Sequence, residues 1–442
     1  MLRPMKHRVS RVSFRFVASA ALGLLAGAGA GAETLLLHGG TVHSMVGEPT
    51  QASVLVVDGE IRAVGNDLDV PSDAERLDVT GLHVYPGIFD AYSRLGLVEV
   101  NSVPATVDTS ELGSYHPHLS AATAVHPDSE VLPVTRESGI THALTAPGGG
   151  SGIPGQGAII HLDGWTVEEM ALDPSAAMIV QWPAIRTRSF DFSTFTIRET
   201  PFGEAKKEAE KEQNELRDWL DAARHYAQAE AAGSERLERN HKLSHLAKVL
   251  DEGMPVIVAA DARRDIEAAV KFAEEQGLRL VLAGGRDAWE LTDLLVEHEV
   301  PVILGRPQSS PADDDDPYDR PYRTASMLSE AGVKIAFGSA AGGGFGPGGP
   351  HSARTLPWEA ATAVAYGLPA DEAMKALTLY PAQMLGVDDR IGSIEAGKVA
   401  NLMVTDGNPL EITTQVRHLI VAGKSSDTDN RHRRFYERFR AR

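Results

Sequence analysis

Cysteine is absent from all 442 residues, which excludes disulfides, thiolate metal sites and a cysteine nucleophile. Positive charge is scarce as well: 42 Lys and Arg stand against 61 Asp and Glu, a formal charge of -19. Nucleic-acid binding needs clustered cations, so that class of partner is not expected. Aromatic residues make up 6% of the chain, and its clearest apolar run, residues 16–25, is well short of the roughly 20 residues of a membrane-spanning helix. What remains, 43% hydrophobic and 23% charged, describes a globular protein of about two or three domains with a substantial core.

Residues 1–32 carry Arg3, Lys6, Arg8, Arg11 and Arg15 and no acid, and end in Ala30-Gly31-Ala32 before Glu33. This pattern predicts a signal peptide cleaved near Ala32 and export to the periplasm or the exterior. The mature chain then holds 37 basic against 61 acidic residues, a charge of -24. Residues 425–442 form a basic tail, in which Phe435, Tyr436 and Phe439 lie among six arginines. Such a segment can rest on the protein's own acidic body or meet an anionic membrane surface.

Apolar runs at 34–37, 53–57 and 61–64 alternate with the turn pairs Gly39-Gly40 and Asp58-Gly59, and a similar pattern returns at 392–404 and 416–421. These are antiparallel strands too few at either end to stand alone. Between them lie strand 255–259, a helix from Asp265 to Gly277, strand 278–283, helix 287–297, strand 300–305, helix 322–330 and strand 333–338. Short apolar strands separated by amphipathic helices predict an α/β fold, and their regularity favours a (β/α)8, TIM-like barrel over a doubly wound sheet. The charged, Ala-rich stretch 198–251 reads as solvated helix faces, with a partner-binding arm as the alternative. The acidic run 313–316 reads as a solvated loop.

The segment Pro86-Gly87-Ile88-Phe89-Asp90-Ala91-Tyr92-Ser93-Arg94 resembles the first barrel strand of the amidohydrolase superfamily, where Pro-Gly, two apolar residues and Asp precede a metal-gripping His-x-His pair. Further similarity lies in His126-Pro127-Asp128-Ser129-Glu130, Gly139-Ile140-Thr141, the loop 148–157, Leu162-Asp163-Gly164-Trp165, Leu356-Pro357-Trp358-Glu359-Ala360 and residues 373–382, and is closest in character to a secreted, imidazolonepropionase-like branch. The resemblance implies a barrel over 83–388 beside a small β-sandwich made jointly by residues 33–82 and 389–424. It also implies metal-dependent hydrolysis of non-peptide carbon-nitrogen bonds, with metal-activated water as nucleophile and an Asp on the last strand carrying the proton.

The residues that would do this chemistry are replaced. The His-x-His pair reads Tyr92-Ser93-Arg94, and a guanidinium has no lone pair to give a metal. Ala259 stands at the end of the strand that would carry the next His, Gly284 near the second, and Ala340 where the catalytic Asp would be. A catalytic zinc takes three protein ligands, so no metal cofactor is expected at the barrel mouth and the chain reads as a degenerate, ligand- or partner-binding pseudoenzyme. Arg94 supplies a fixed charge in its place, either held by Asp90 or Glu99 or free to clasp a ligand carboxylate, with Tyr92 lining the same pocket. A small anionic ligand or a metal-complete relative are the partners this implies, and a homo- or hetero-oligomer is compatible with it. The alternative is an active hydrolase with a displaced zinc site built from His116, His118 and His126. The glycine clusters 148–152 and 342–344 are flexible loops or backbone cradles for an anion.

Overall fold

The alternating runs near the amino end form, in a computed structural model that describes residues 33–191, 196–234, 237–311, 315–342 and 349–442, the strands β1 (Thr34–Val42), β2 (Thr50–Val57), β3 (Glu60–Gly65), β4 (Glu75–Asp78) and β5 (His83–Pro86). The expected signal peptide at 1–32 lies outside the described residues, as do Asp313, Asp314, Gly343 and Gly344. Eight strands then line a barrel: β6 (Ile88–Ser93), β7 (Ile140–Thr145), β8 (Gly152–His161), β9 (Ala171–Gln181) and, after the hairpin of β10 (Arg188–Asp191) and β11 (Thr196–Glu199), β12 (Val256–Ala260), β13 (Leu280–Gly284), β14 (Val302–Leu304) and β15 (Ile335–Phe337). The carboxyl end adds β16 (Leu402–Thr405), β17 (Val416–Val421) and β18 (Lys424–Ser426).

The two chain ends meet in one sheet. β16 pairs antiparallel with β5, from Leu402 opposite Pro86 to Thr405 opposite His83, and β5 pairs with β1. Leu37, Val54, Val84, Leu402, Val404 and Ile420 share its apolar core, so neither half buries that core without the other. The expected sandwich is thus a single hydrogen-bonded sheet among the described strands, and it takes in β5, beyond residue 82.

The barrel also departs from eight parallel strands. β8 runs antiparallel to both β7 and β9, whereas β6 with β7, and β9 through β12, β13 and β14 to β15, are parallel. The physical reason is connection length. Only residues 146–151 separate β7 from β8, and a parallel crossover needs about a dozen residues. The ring nearly closes between β15 and β6, where beyond the end of β15 the Ala340 N–H donates to the Tyr92 carbonyl at 2.9 Å. The charged stretch after the hairpin forms the helices Phe202–Ala231 and His241–Glu252, which pack through Leu216, Leu220, Ala223, Leu246 and Val249 while their Glu and Lys face water.

Candidate functional site

The barrel interior is layered by strand register. Ile179, Ile257 and Val281 lie level with one another, and one layer toward the carboxyl ends Gln181, Ala259, Ala283, Ile303 and Ala336 do the same. The upper layer is made largely of alanines, and Tyr92 fills the room they leave. Tyr92 is 2% exposed, and its hydroxyl accepts from Gln181 Nε2 at 3.3 Å. Gly338 permits this packing, because a Cβ there would lie 2.8 Å from Tyr92 Cβ and 2.9 Å from Ile303 Cγ2. Ala259 sits in the upper layer, with Ala283 as its register partner. Gly284 pairs with Ala260, one residue on along the strands.

Arg94 follows directly on β6 and is half-buried. Its Nη1 donates to the Ala146 carbonyl, and its guanidinium lies 5.5 Å from the Tyr92 ring centroid. Gly148 forms the floor beneath it, since a Cβ there would come within 2.8 Å of Arg94 Nη2. Neither carboxylate proposed from sequence pairs with it. Glu99 instead accepts from Ser129 Oγ at 2.5 Å. Asp90 turns toward the last strand, where its Oδ1 accepts from the Ser339 N–H at 3.0 Å and the Tyr92 N–H at 3.3 Å. Among the described residues Arg94 has no ion-pair partner. The Gly148 N–H is already given to the Thr109 carbonyl at 2.7 Å, so it adds nothing to an anion cradle.

Asp90 belongs to a buried polar group that the sequence reading did not assemble. Burial pushes its carboxyl up to about 7, hydrogen bonds from Ser339 and the Tyr92 backbone act the other way, and nearby Glu359 adds to the rise. Glu359 is buried too, and desolvation raises its carboxyl against the hydrogen bond from Thr355 and the charge of Arg306, which lies 3.1 Å away. Among the described residues Asp90 Oδ2 and Glu359 Oε2 both lack a hydrogen-bond partner. The signal for Glu359 was in plain sight, a lone acid inside the apolar run Leu356-Pro357-Trp358-Glu359-Ala360-Ala361.

A profile of the amidohydrolase family matches residues 320–428. The solved structure of an amidohydrolase from Thermotoga maritima MSB8 superposes with a TM-score of 0.75 at 28% identity, covering 89% of this chain and 99% of that one. The chain is similar in fold and sequence to the amidohydrolase superfamily. Amidohydrolase tasK of Hapsidospora irregularis is 26% identical over 388 residues, 81% of this chain, and N-substituted formamide deformylase of Arthrobacter pascens is 36% identical over 110 residues, 23% of this chain. The chain spans 38% of the length of the first and 19% of the second.

Amidohydrolases imply a metal at this mouth, and the residues present do not fit one. The interior positions carry Tyr92, Ala259, Ala283 and Ala340, no donor among them matching a catalytic zinc set, and among the described residues no group of three or more His, Cys, Asp and Glu is arranged to hold a metal ion. The loop histidines do not converge either. His126 Nε2 pairs with Asp108 Oδ2 at 2.8 Å, apart from His116 and His118, whose ring centroids are 6.3 Å from each other. Burial lowers the His118 imidazole pKa, with Lys242, His116, His245 and His241 acting in the same direction. His241 and His245, spaced one helical turn apart on the helix His241–Glu252, were not singled out from sequence.

Proposed function

We propose that this amidohydrolase-superfamily protein is an exported, metal-free pseudoenzyme of the imidazolonepropionase-like branch, which binds small carboxylates at the barrel mouth through Arg94. The observation that carries this reading is a permanently charged guanidinium, half-buried where the superfamily places its chemistry, with a carbonyl and an aromatic ring for company and no carboxylate in ion-pair contact among the described residues. A buried cation without a counter-ion is costly, and a ligand carboxylate received bidentately offsets that cost. Tyr92 fixes one wall and Gly148 the floor.

The decisive experiment is calorimetric titration of the chain from Glu33 onward with acetate, succinate and N-acetylglycine. Binding of at least one in the micromolar to millimolar range, lost in Arg94→Ala and weakened in Arg94→Lys, is the expected result. Binding that persists in Arg94→Ala places the ligand elsewhere. Export is tested by the amino-terminal sequence of the protein recovered from cells, expected to begin near Glu33.

A second reading, an active hydrolase of non-peptide carbon-nitrogen bonds with a displaced metal, draws on His116 Nε2 and His118 Nδ1, both buried atoms without hydrogen-bond partners among the described residues. It ranks behind the first because His126 is paired elsewhere.

A further inference from the structure

The helix Arg431–Arg440 has no buried residue, yet it is fixed in place. Asn430 caps it, accepting from the N–H groups of His432 and Arg433 at 2.9 and 3.2 Å, and donates through Nδ2 to Glu137 at 2.7 Å. Arg433 pairs with Glu137 at 2.6 Å and Arg434 with Glu130 at 3.2 Å. At about 100° per residue, Arg433, Arg434 and Glu437 occupy one side of the helix, and Phe435, Tyr436 and Phe439 the other. The second side is tethered only at its first turn, where His432 meets Arg354 at 3.2 Å, and beyond that it is aromatic, with Phe435 41%, Tyr436 61% and Phe439 52% exposed.

That aromatic side is also cationic. Arg431 lies 5.3 Å from the Phe435 ring centroid, Arg440 5.5 Å from Tyr436 and Arg442 4.7 Å from Phe439, and Arg438 flanks the stripe. Arg433 and Arg434 hold the helix to its acidic body and Arg440 pairs with Glu437 at 3.0 Å, while Arg431, Arg438 and Arg442 have no ion-pair partner among the described residues and stand as spare charge beside the aromatic surface. We propose that this helix is a docking face for an anionic lipid bilayer, its rings entering the headgroup boundary and its outer arginines meeting lipid phosphates.

Area favours a bilayer over a second copy of the chain. Three half-exposed aromatics on a helix about 15 Å long offer roughly 300 Å², against the roughly 800 Å² per partner of a stable protein interface. A lipid surface needs no matching contour. Charge points the same way, since this is a positive patch on a strongly acidic protein.

The test uses the chain from Glu33 onward, a compact unit of its own, co-sedimented with vesicles of phosphatidylcholine alone or with about one third phosphatidylglycerol. Binding to the anionic vesicles alone, reversed by raising salt, is expected. Arg431→Ala/Arg438→Ala should weaken it by roughly fivefold per arginine, and Phe435→Ser/Phe439→Ser should remove it with the melting temperature unchanged. Equal binding to neutral vesicles, or binding indifferent to these substitutions, overturns the proposal. So does concentration-dependent dimerisation abolished by the Phe435→Ser/Phe439→Ser pair, which would make a second copy the occupant.

Discussion

The mouth and the base of this barrel have exchanged the side chains usually expected of them. At the base, Phe89, His142 and His161 share a level, with His142 opposite His161 in register and its ring 4.5 Å from Phe89. Both imidazoles are buried and neutral: burial drives His142 well below its ordinary 6.5, and drives His161 down to about 4, with Arg390 adding to the effect. At the mouth, where catalytic side chains are expected, stand alanines, a tyrosine and an arginine. Chemical character thus follows access. Imidazoles sealed in the base cannot serve a substrate, while Arg94, a partly exposed charged group at the mouth, suits binding.

The largest effect should come from breaking the packed base. Phe89→Ala removes a fully buried ring and should cost about 3 to 5 kcal/mol, measured by denaturant unfolding. Next comes pH, where the two ends should pull in opposite directions. His161 binds its proton more weakly folded than unfolded, so its contribution is intact above pH 6.5 and is lost as pH falls toward 4, by about 3 kcal/mol in all. Asp90 is held up near 7 from an ordinary 3.8, so its contribution is intact below 3.8 and is lost as pH rises through 7. Melting curves across pH 4 to 8 should therefore steepen on the acid side in Asp90→Asn and flatten there in His161→Phe. A wild-type profile unchanged by either substitution would contradict the burial of both groups.

The smallest stability effect is expected at the mouth. Arg94→Ala should cost less than about 1 kcal/mol, because it removes a single hydrogen bond to the Ala146 carbonyl and leaves no carboxylate unpaired. A loss near 3 kcal/mol would mean that Arg94 does plug a cavity against a buried acid. Restoring Tyr92→His with Arg94→His should yield no hydrolysis of N-acyl amino acids, since Ala259, Ala283 and Ala340 still supply neither ligand nor proton carrier.

Strand β17 occupies exactly the residues 416–421 read from apolar alternation, and the helix Arg263–Gln276 ends where Gly277 was read as its stop. Gly277 adopts φ 63°, the left-handed conformation a helix terminator needs, which is why it was visible in sequence. The inversion of β8 was not visible as strand composition. Its cause is the short link at 146–151, and length rather than apolarity was the clue. At the site, Tyr92 and Arg94 were legible because they interrupt a strong local pattern. Ser339 and Glu359 meet Asp90, and Arg306 meets Glu359, only through packing of distant strands and a helix, and no local spacing encodes those meetings.

The most direct measurement is the metal content of the protein purified from its native compartment without chelators. Less than about 0.2 equivalents of zinc, manganese or iron per chain is expected, because isolated histidines bind far more weakly than a complete ligand set. Stoichiometric metal retained through dialysis would contradict a metal-free mouth outright, and its loss in a His116→Ala/His118→Ala variant would locate the displaced site.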